Sequence, residues 1–314
     1  MMTKMEKAAQ AVIHRHLEVK KGESVLILTN EPLVEIASIL FQAAKRRTRG
    51  AYLLQLSNSD LSGPVADLMS RVNVVIAVTA PSISHTEARR RASHNGVRIA
   101  SMPNITRATF SRLALTDLKK NARLSQKIRD ILTIGRQARV SAPNGTDLLV
   151  PIQNRKGYAD TGLLQVPGAF SNIPAGEACV APEKGLTEGE LIVDSGMGLD
   201  RRDIDGITLT IKNGRVSRIK GGRSAQRLRR NLARHGPASR VVAEFGIGTN
   251  ANAVISGYSL EDEKVLGTIH IGVGNNISFG GDNDVAVHLD AVVFKASVEI
   301  DGRVILDRGR LVLE

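Results

Sequence analysis

Residues 243–290 read AEFGIGTNANAVISGYSLEDEKVLGTIHIGVGNNISFGGDNDVAVHLD, and within them carboxylates and histidines fall on apolar, strand-like segments. In VAVHLDAVVF, Val287 and Leu289 alternate with His288 and Asp290. The period-2 geometry of a strand sends the latter two to one face. In TIHIGVG, Ile269, Ile271 and Val273 alternate with Thr268, His270 and Gly272, so His270 leaves its strand on the side away from the core. Glu244 does the same in VVAEFGIG. A buried carboxylate costs several kcal/mol unless it is compensated, and a divalent cation shared by such groups is one solution. The pattern predicts a metal site formed by Glu244, His270, His288 and Asp290. The plainer reading of each histidine taken singly is a hydrogen-bonded core residue.

The 314 residues exceed a typical single core, and 42% hydrophobic content suffices for two. The N-terminus MMTKMEKAAQ is charged, and no apolar run approaches the ~20 residues needed to span a bilayer. A cytoplasmic protein without a membrane segment is expected. The single cysteine, Cys179, has no partner for an internal disulfide, and no CxxC pair offers thiolates to zinc. Any metal would therefore be held by His, Asp and Glu. The net charge of +12 raises the question of nucleic acid. With no Trp, three Tyr and six Phe there are few stacking platforms, and the arginines of KRRTR, ARRRAS and RSAQRLRRNLAR read as separate solvated helix faces. Nucleic acid is not expected as a partner.

From the N-terminus, amphipathic helical patterns alternate with continuous apolar strands: a helix over 4–19, a strand near 24–29, a helix after Pro32, then AYLLQLS, NVVIAVTA and VRIAS with helices between. Strands apolar on both faces, spaced by helices, predict a parallel sheet covered on both sides. The expected fold class is an α/β, Rossmann-like domain over 1–137, followed by a β-rich (α+β) metal-binding domain over 138–314. No GxGxxG or GxxxxGK[ST] fingerprint occurs, so no nucleotide cofactor is assigned. His85, in APSISHTEAR, reads as a capping-turn residue beside Ser82 and Ser84, and His14, His16 and His94 read as structural. One helix is expected over about 108–137. Beyond it, Asn144-Gly145, Asn213-Gly214 and Asp301-Gly302 are turn signals, the last two set between alternating strands as hairpins.

Taken together, NIPAGEACVAP (172–182), AEFGIGTN, EDEKVLGTIHIGVG, GGDN and HLD resemble, in this order, the motifs of the metallo-aminopeptidases related to aminopeptidases T and S. PNGTDL at 143–148 and SHTEAR at 84–89 extend the resemblance towards the N-terminus. It implies an α/β domain joined to a β-rich domain with a dinuclear zinc or cobalt site, in a homodimer. By the same resemblance Glu177 and Glu244 are metal ligands, as are His270, His288 and Asp290. Glu263, in EDEK, is then an acid beside the site, a ligand or the general base.

These residues lead to the expectation of a metal-dependent hydrolase, an aminopeptidase acting on a short peptide or other amide. One or two Zn, Co or Mn ions would be held by Glu177, Glu244, His270, His288 and Asp290, with Glu263 and Glu244 in catalysis. Certain residues depart from that family. The stretch GVGNNISFGG lacks the tyrosine found there, and HWD is replaced by HLD. A second branch with the same scaffold comprises mononuclear iron enzymes that cleave 2,5-dihydroxypyridine rings. For that alternative, His270, His288 and Asp290 form a two-His-one-carboxylate triad for Fe(II).

Overall fold

The computed structural model describes residues 1–57, 61 and 63–313. In chain order its strands are β1 Ser24–Thr29, β2 Gly50–Gln55, β3 Val74–Val78, β4 Arg98–Ser101, β5 Gln137–Ser141, β6 Asp147–Pro151, β7 Gly157–Asp160, β8 Phe170–Asn172, β9 Glu177–Val180, β10 Glu188–Ile192, β11 Ser195–Gly196, β12 Thr208–Lys212, β13 Arg215–Lys220, β14 Val242–Gly248, β15 Ile269–Gly274, β16 His288–Val293, β17 Ser297–Ile300, β18 Arg303–Asp307 and β19 Arg310–Leu311. The α-helices are α1 Lys4–Ala11, α2 Val34–Lys45, α3 Pro64–Met69, α4 Glu87–His94, α5 Arg107–Arg112, α6 Leu118–Ile134, α7 Arg223–Arg234 and α8 Ser259–Asp262. None of the described helices is long and apolar enough to cross a membrane.

The chain forms two compact units, one of residues 1–122 and 161–175, the other of 123–160 and 176–314. In the first, a parallel sheet runs in the order β2-β1-β3-β4-β8. β1 and β3 are continuous apolar runs and, with β4, are almost wholly buried, as a sheet covered on both faces requires. Two local readings change. Helix α4 is capped by Thr86, whose hydroxyl accepts from the Arg89 amide, and not by Ser82 or Ser84. The helix expected over 108–137 is broken at 113–117, where the Asp117 carboxylate accepts from the Lys120 amide at 3.1 Å and starts α6 afresh. An aspartate placed to cap competes with helix continuation, which hydrophobic periodicity alone does not register.

In the second unit an antiparallel eight-stranded sheet has the order β13-β12-β10-β6-β5-β17-β18-β19. A six-stranded sheet runs β11-β16-β15-β14-β9-β7. Asn213-Gly214 and Asp301-Gly302 form the turns of the β12/β13 and β17/β18 hairpins, with positive φ at all four residues, the combination two-residue turns select. One apolar core draws on both sheets: Val140, Leu148, Val150 and Leu209 from the larger, and Ala178, Val180, Phe245, Ile247, Ile269, Ile271, Val273, Ala291 and Val293 from the smaller. Alternation along β9, β14, β15 and β16 then dictates what lies on the other face of the six-stranded sheet.

Candidate metal centre

That other face carries Glu177 and Cys179 of β9, Glu244 and Gly246 of β14, His270 and Gly272 of β15, and His288 and Asp290 of β16, each one residue out of phase with the core set. The register sets every large polar side chain opposite a glycine. Glu177 pairs with Gly248 and Cys179 with Gly246; His270 also faces Gly246. Glu244 and Asp290 both face Gly272, and His288 faces Gly274. The glycines make room. A Cβ on Gly272 would come within 2.8 Å of the His288 ring and 2.9 Å of Glu244 Cβ, and one on Gly246 would collide with the His270 ring.

Into this space the ligand-type atoms converge. His288 Nε2 is 3.0 Å from Glu244 Oε2 and 3.0 Å from Asp290 Oδ1, while His270 Nε2 is 3.5 Å from Glu244 Oε1 and 3.3 Å from Glu177 Oε2. Donor atoms of Glu244, His270 and Asp290 all lie within 4.8 Å of one another, as do those of Glu177, Cys179 and Glu244. Both sets could hold a metal ion. Glu177, Glu244 and His270 are buried, and the Glu177 Oε2 and His270 Nδ1 atoms have no hydrogen-bond partner. Such groups are costly to leave unmet in an apolar interior.

The donor set fits a metal in a further respect. His288 Nδ1 lies 2.7 Å from the Asn275 carbonyl, so Nδ1–H donates there and the neutral ring presents the Nε2 lone pair to two carboxylates. Without a cation this arrangement demands a proton. Burial opposes the imidazolium, but Asp290 and Glu244 hold His288 well above the usual histidine range. His270 is pushed up to about 9 against burial by Glu244 and Glu177. Burial likewise opposes the Glu244 carboxylate, and His270 and His288 bring it well below the ordinary range.

Glu263, which precedes a buried lysine, sits just after α8. Asp262 of that helix is fully buried and accepts from Ser195 Oγ, the Ser256 amide and the Gly257 amide, which fixes the following turn. Lys264 Nζ then lies 2.6 Å from Glu177 Oε1, 3.0 Å from Glu263 Oε1 and 3.9 Å from Asp160 Oδ2. Burial would lower the ammonium, but Glu177, Glu263 and Asp160 hold it well above its usual range. Burial pushes Glu263 up, and pushes Glu177 up to about 8 against the pull of Lys264. Lys264 and Asp160 were not singled out by the sequence reading. A lysine inside the apolar-flanked EDEKVLGT was the available signal, since a buried ammonium needs carboxylates around it.

The structure therefore brings together Glu177, Glu244, His270, His288 and Asp290, and sets Glu263 beside them on Lys264. His85 is elsewhere, in the first unit, its backbone carbonyl accepting from Arg90. No tyrosine follows the His270 strand, but Tyr158 of β7 approaches His288 by way of Phe279. Its ring stands edge-on to Phe279, centroids 6.4 Å apart, and Phe279 lies 5.5 Å from the His288 ring.

A family model described as NicX, 2,5-dihydroxypyridine 5,6-dioxygenase, matches residues 5–313. Among solved structures the chain is similar to 2,5-dihydroxypyridine dioxygenase from Pseudomonas putida KT2440, with a TM-score of 0.83, 18% identity, and 100% of this chain and 99% of that one covered. It is also similar to wild-type AmpT from Thermus thermophilus, with a TM-score of 0.69, 18% identity and 99% of each chain covered. At such identity each likeness speaks for the fold alone. No curated protein matches the chain.

The family match overturns the expectation of a metallo-aminopeptidase, and with it the hydrolase, metallopeptidase and protease readings. The reason is physical. NIPAGE, AEFGIG, GTIHIGVG and HLD specify a sheet face with acids and imidazoles lodged over glycines, a scaffold for a cation that leaves the reaction open.

Proposed function

Because the chain belongs to the NicX family, 2,5-dihydroxypyridine 5,6-dioxygenase, we propose that it opens a dihydroxypyridine-type ring with dioxygen, using one Fe(II) held by His270, His288 and Asp290. The observation that carries this reading is the convergence of two imidazole Nε2 atoms and the Asp290 carboxylate about Glu244, the donor set of a two-His-one-carboxylate ferrous site. Bound there, ferrous iron supplies the one-electron chemistry by which dioxygen can react with an aromatic ring.

The chain's own residues do the rest. Glu244, between the two imidazoles, sets their ring planes and balances charge. Lys264 offsets part of the negative charge of Glu177, Glu263 and Asp160. Glu263 Oε2, to which Ser259 Oγ donates at 3.1 Å, is the carboxylate placed to take a proton from a ring hydroxyl, since burial raises its proton affinity. Asp160 and Asp290, with side chains 15% and 16% exposed, are the least buried carboxylates of the cluster.

Protein loaded anaerobically with Fe(II), given 2,5-dihydroxypyridine and then air, should consume one dioxygen per ring lost. Zinc- or cobalt-loaded protein should leave dipeptide amides intact. Ring loss without oxygen uptake, or no ring loss at full iron loading, would sink the proposal.

A further inference from the structure

We propose that Phe279, backed by Tyr158, is the wall against which a planar aromatic substrate stacks beside His288, and that this ring sets the preference for aromatic over saturated substrates. The inference deepens the ring-opening reading and rests on it.

In a chain with six Phe, three Tyr and no Trp, two aromatic side chains meet beside His288. Tyr158 and Asp160 lie on β7, in register with Cys179 and Glu177, which continues the ligand face outward by one strand. Phe279 comes from the short helical turn Ile277–Phe279, closed by Gly280 in a left-handed conformation at φ 74°. It touches Tyr158 on β7 and His288 on β16, strands with three others between them in sheet order, so its ring roofs the face.

This placement is built. Arg155 donates to the carbonyls of Ala181 and Gly280, tying the turn to the chain after β9. Asn275 donates to Asp284 and Val285, Asn276 accepts from the Asn283 amide, and Asn283 donates to the carbonyls of Gly274 and Ala238. A loop held at so many points presents Phe279 in one orientation. The contact groups also divide by chemistry. His270, Glu244 and Glu177 form the deep polar floor, whereas Phe279 and Tyr158 are half-buried and apolar on the accessible side. A planar ring carrying polar oxygens satisfies both: its oxygens reach the floor and its π-face lies along Phe279. A flexible acyclic chain would leave the aromatic wall unfilled. Offset stacking exceeds plain apolar burial by ~0.5–1.5 kcal/mol, so the preference it confers should be roughly three- to tenfold.

The test compares binding of 2,5-dihydroxypyridine with that of 5-hydroxypiperidin-2-one, which carries the same two ring oxygens without a π-face, to iron-loaded protein by anaerobic calorimetry. The wild type should favour the aromatic ring roughly three- to tenfold. Phe279→Leu should abolish the preference at unchanged iron content and raise KM more than it lowers kcat, and Phe279→Tyr should retain it. Tyr158→Phe should keep it and Tyr158→Leu weaken it. An undiminished preference in Phe279→Leu overturns the inference, as does a wild type that binds both rings equally or neither. A Phe279-dependent preference in a protein that never consumes dioxygen would uphold the wall and refute the ring-opening reading.

Discussion

The Nε2 atom of His288 lies 3.0 Å from the Oδ1 atom of Asp290, two residues along the same strand, while Nδ1 of the same ring lies 2.7 Å from the Asn275 carbonyl. Glu244 approaches the same Nε2 at 3.0 Å. With Nδ1–H committed to Asn275, only a proton or a metal ion reconciles this nitrogen with two carboxylates. The two compete for one lone pair, and the competition makes metal affinity a function of pH.

Metal uptake should release protons. Carboxylates hold His270 up to about 9 and His288 well above the ordinary range, so both rings favour the protonated form in metal-free protein and a metal competes with those protons. Affinity for Zn(II), a redox-silent probe, should strengthen as pH rises from 6 to 8. A slope near zero, measured by competition with a chelator, would mean the rings are neutral beforehand.

The glycines opposite the ligands should matter as much as the hydrogen-bond partners that orient those ligands. Gly272→Ala puts a methyl 2.8 Å from the His288 ring, and Gly246→Ala drives one into the His270 ring. Each should weaken metal binding on the order of 10- to 100-fold. Gly185, with open space around it and φ +80°, provides the contrast: Gly185→Asn should leave metal affinity unchanged. Equal loss in all three variants would point to general destabilisation.

The period-2 alternation of β14, β15 and β16 was legible because one face is a continuous apolar core, so Glu244, His270, His288 and Asp290 could only point the other way. The alternating glycines of GIG and GVG were visible too, but their meaning depends on cross-strand register, which pairs Gly246 with His270 and Gly272 with Asp290. Asp160 was illegible for the same reason, since it meets Lys264 only through space, opposite Glu177 on the neighbouring strand. Tyr158 reaches Phe279 across more than a hundred residues of chain, a contact that local pattern does not encode. The reaction was misread because the motifs describe how a sheet holds a cation, whereas the side chains on its open edge bear on the substrate.

In the first unit, His16 is buried and pushed down to about 4, chiefly by burial, with Nδ1 2.9 Å from the Gly162 carbonyl. Unfolded, it protonates near 6.5, so between pH 6.5 and 4 the unfolded state binds the extra proton and stability falls as pH falls. The full effect is on the order of 3 kcal/mol, reached near pH 4. The His16 ring resonances in a pH titration should stay those of a neutral imidazole from pH 7 to 5. A midpoint near 6.5 would contradict the burial argument.

Asp290→Asn and Glu263→Gln separate holding a cation from using it. Asparagine keeps the size of Asp290 and can still donate or accept beside His288, but it removes a charge from the cluster shared with His270 and Glu244. Iron or zinc content after dialysis should drop sharply, while the circular dichroism of metal-free protein stays unchanged, because the strand pairing of Asp290 with Gly272 runs through backbone. Glu263 lies on Lys264 at 3.0 Å and on Ser259 at 3.1 Å, outside the set of converging donors. Glutamine there can preserve one of these contacts, so Glu263→Gln should retain metal and lose turnover on the order of 10²-fold, the scale of a missing proton acceptor. Lys264→Met is the third arm. It strips the ammonium from three carboxylates and should destabilise the unit by ~3–5 kcal/mol, the cost of breaking a buried ion pair from one side. If Asp290→Asn keeps full metal and merely melts earlier, the His288–Asp290 pair is a structural contact and the cation belongs elsewhere.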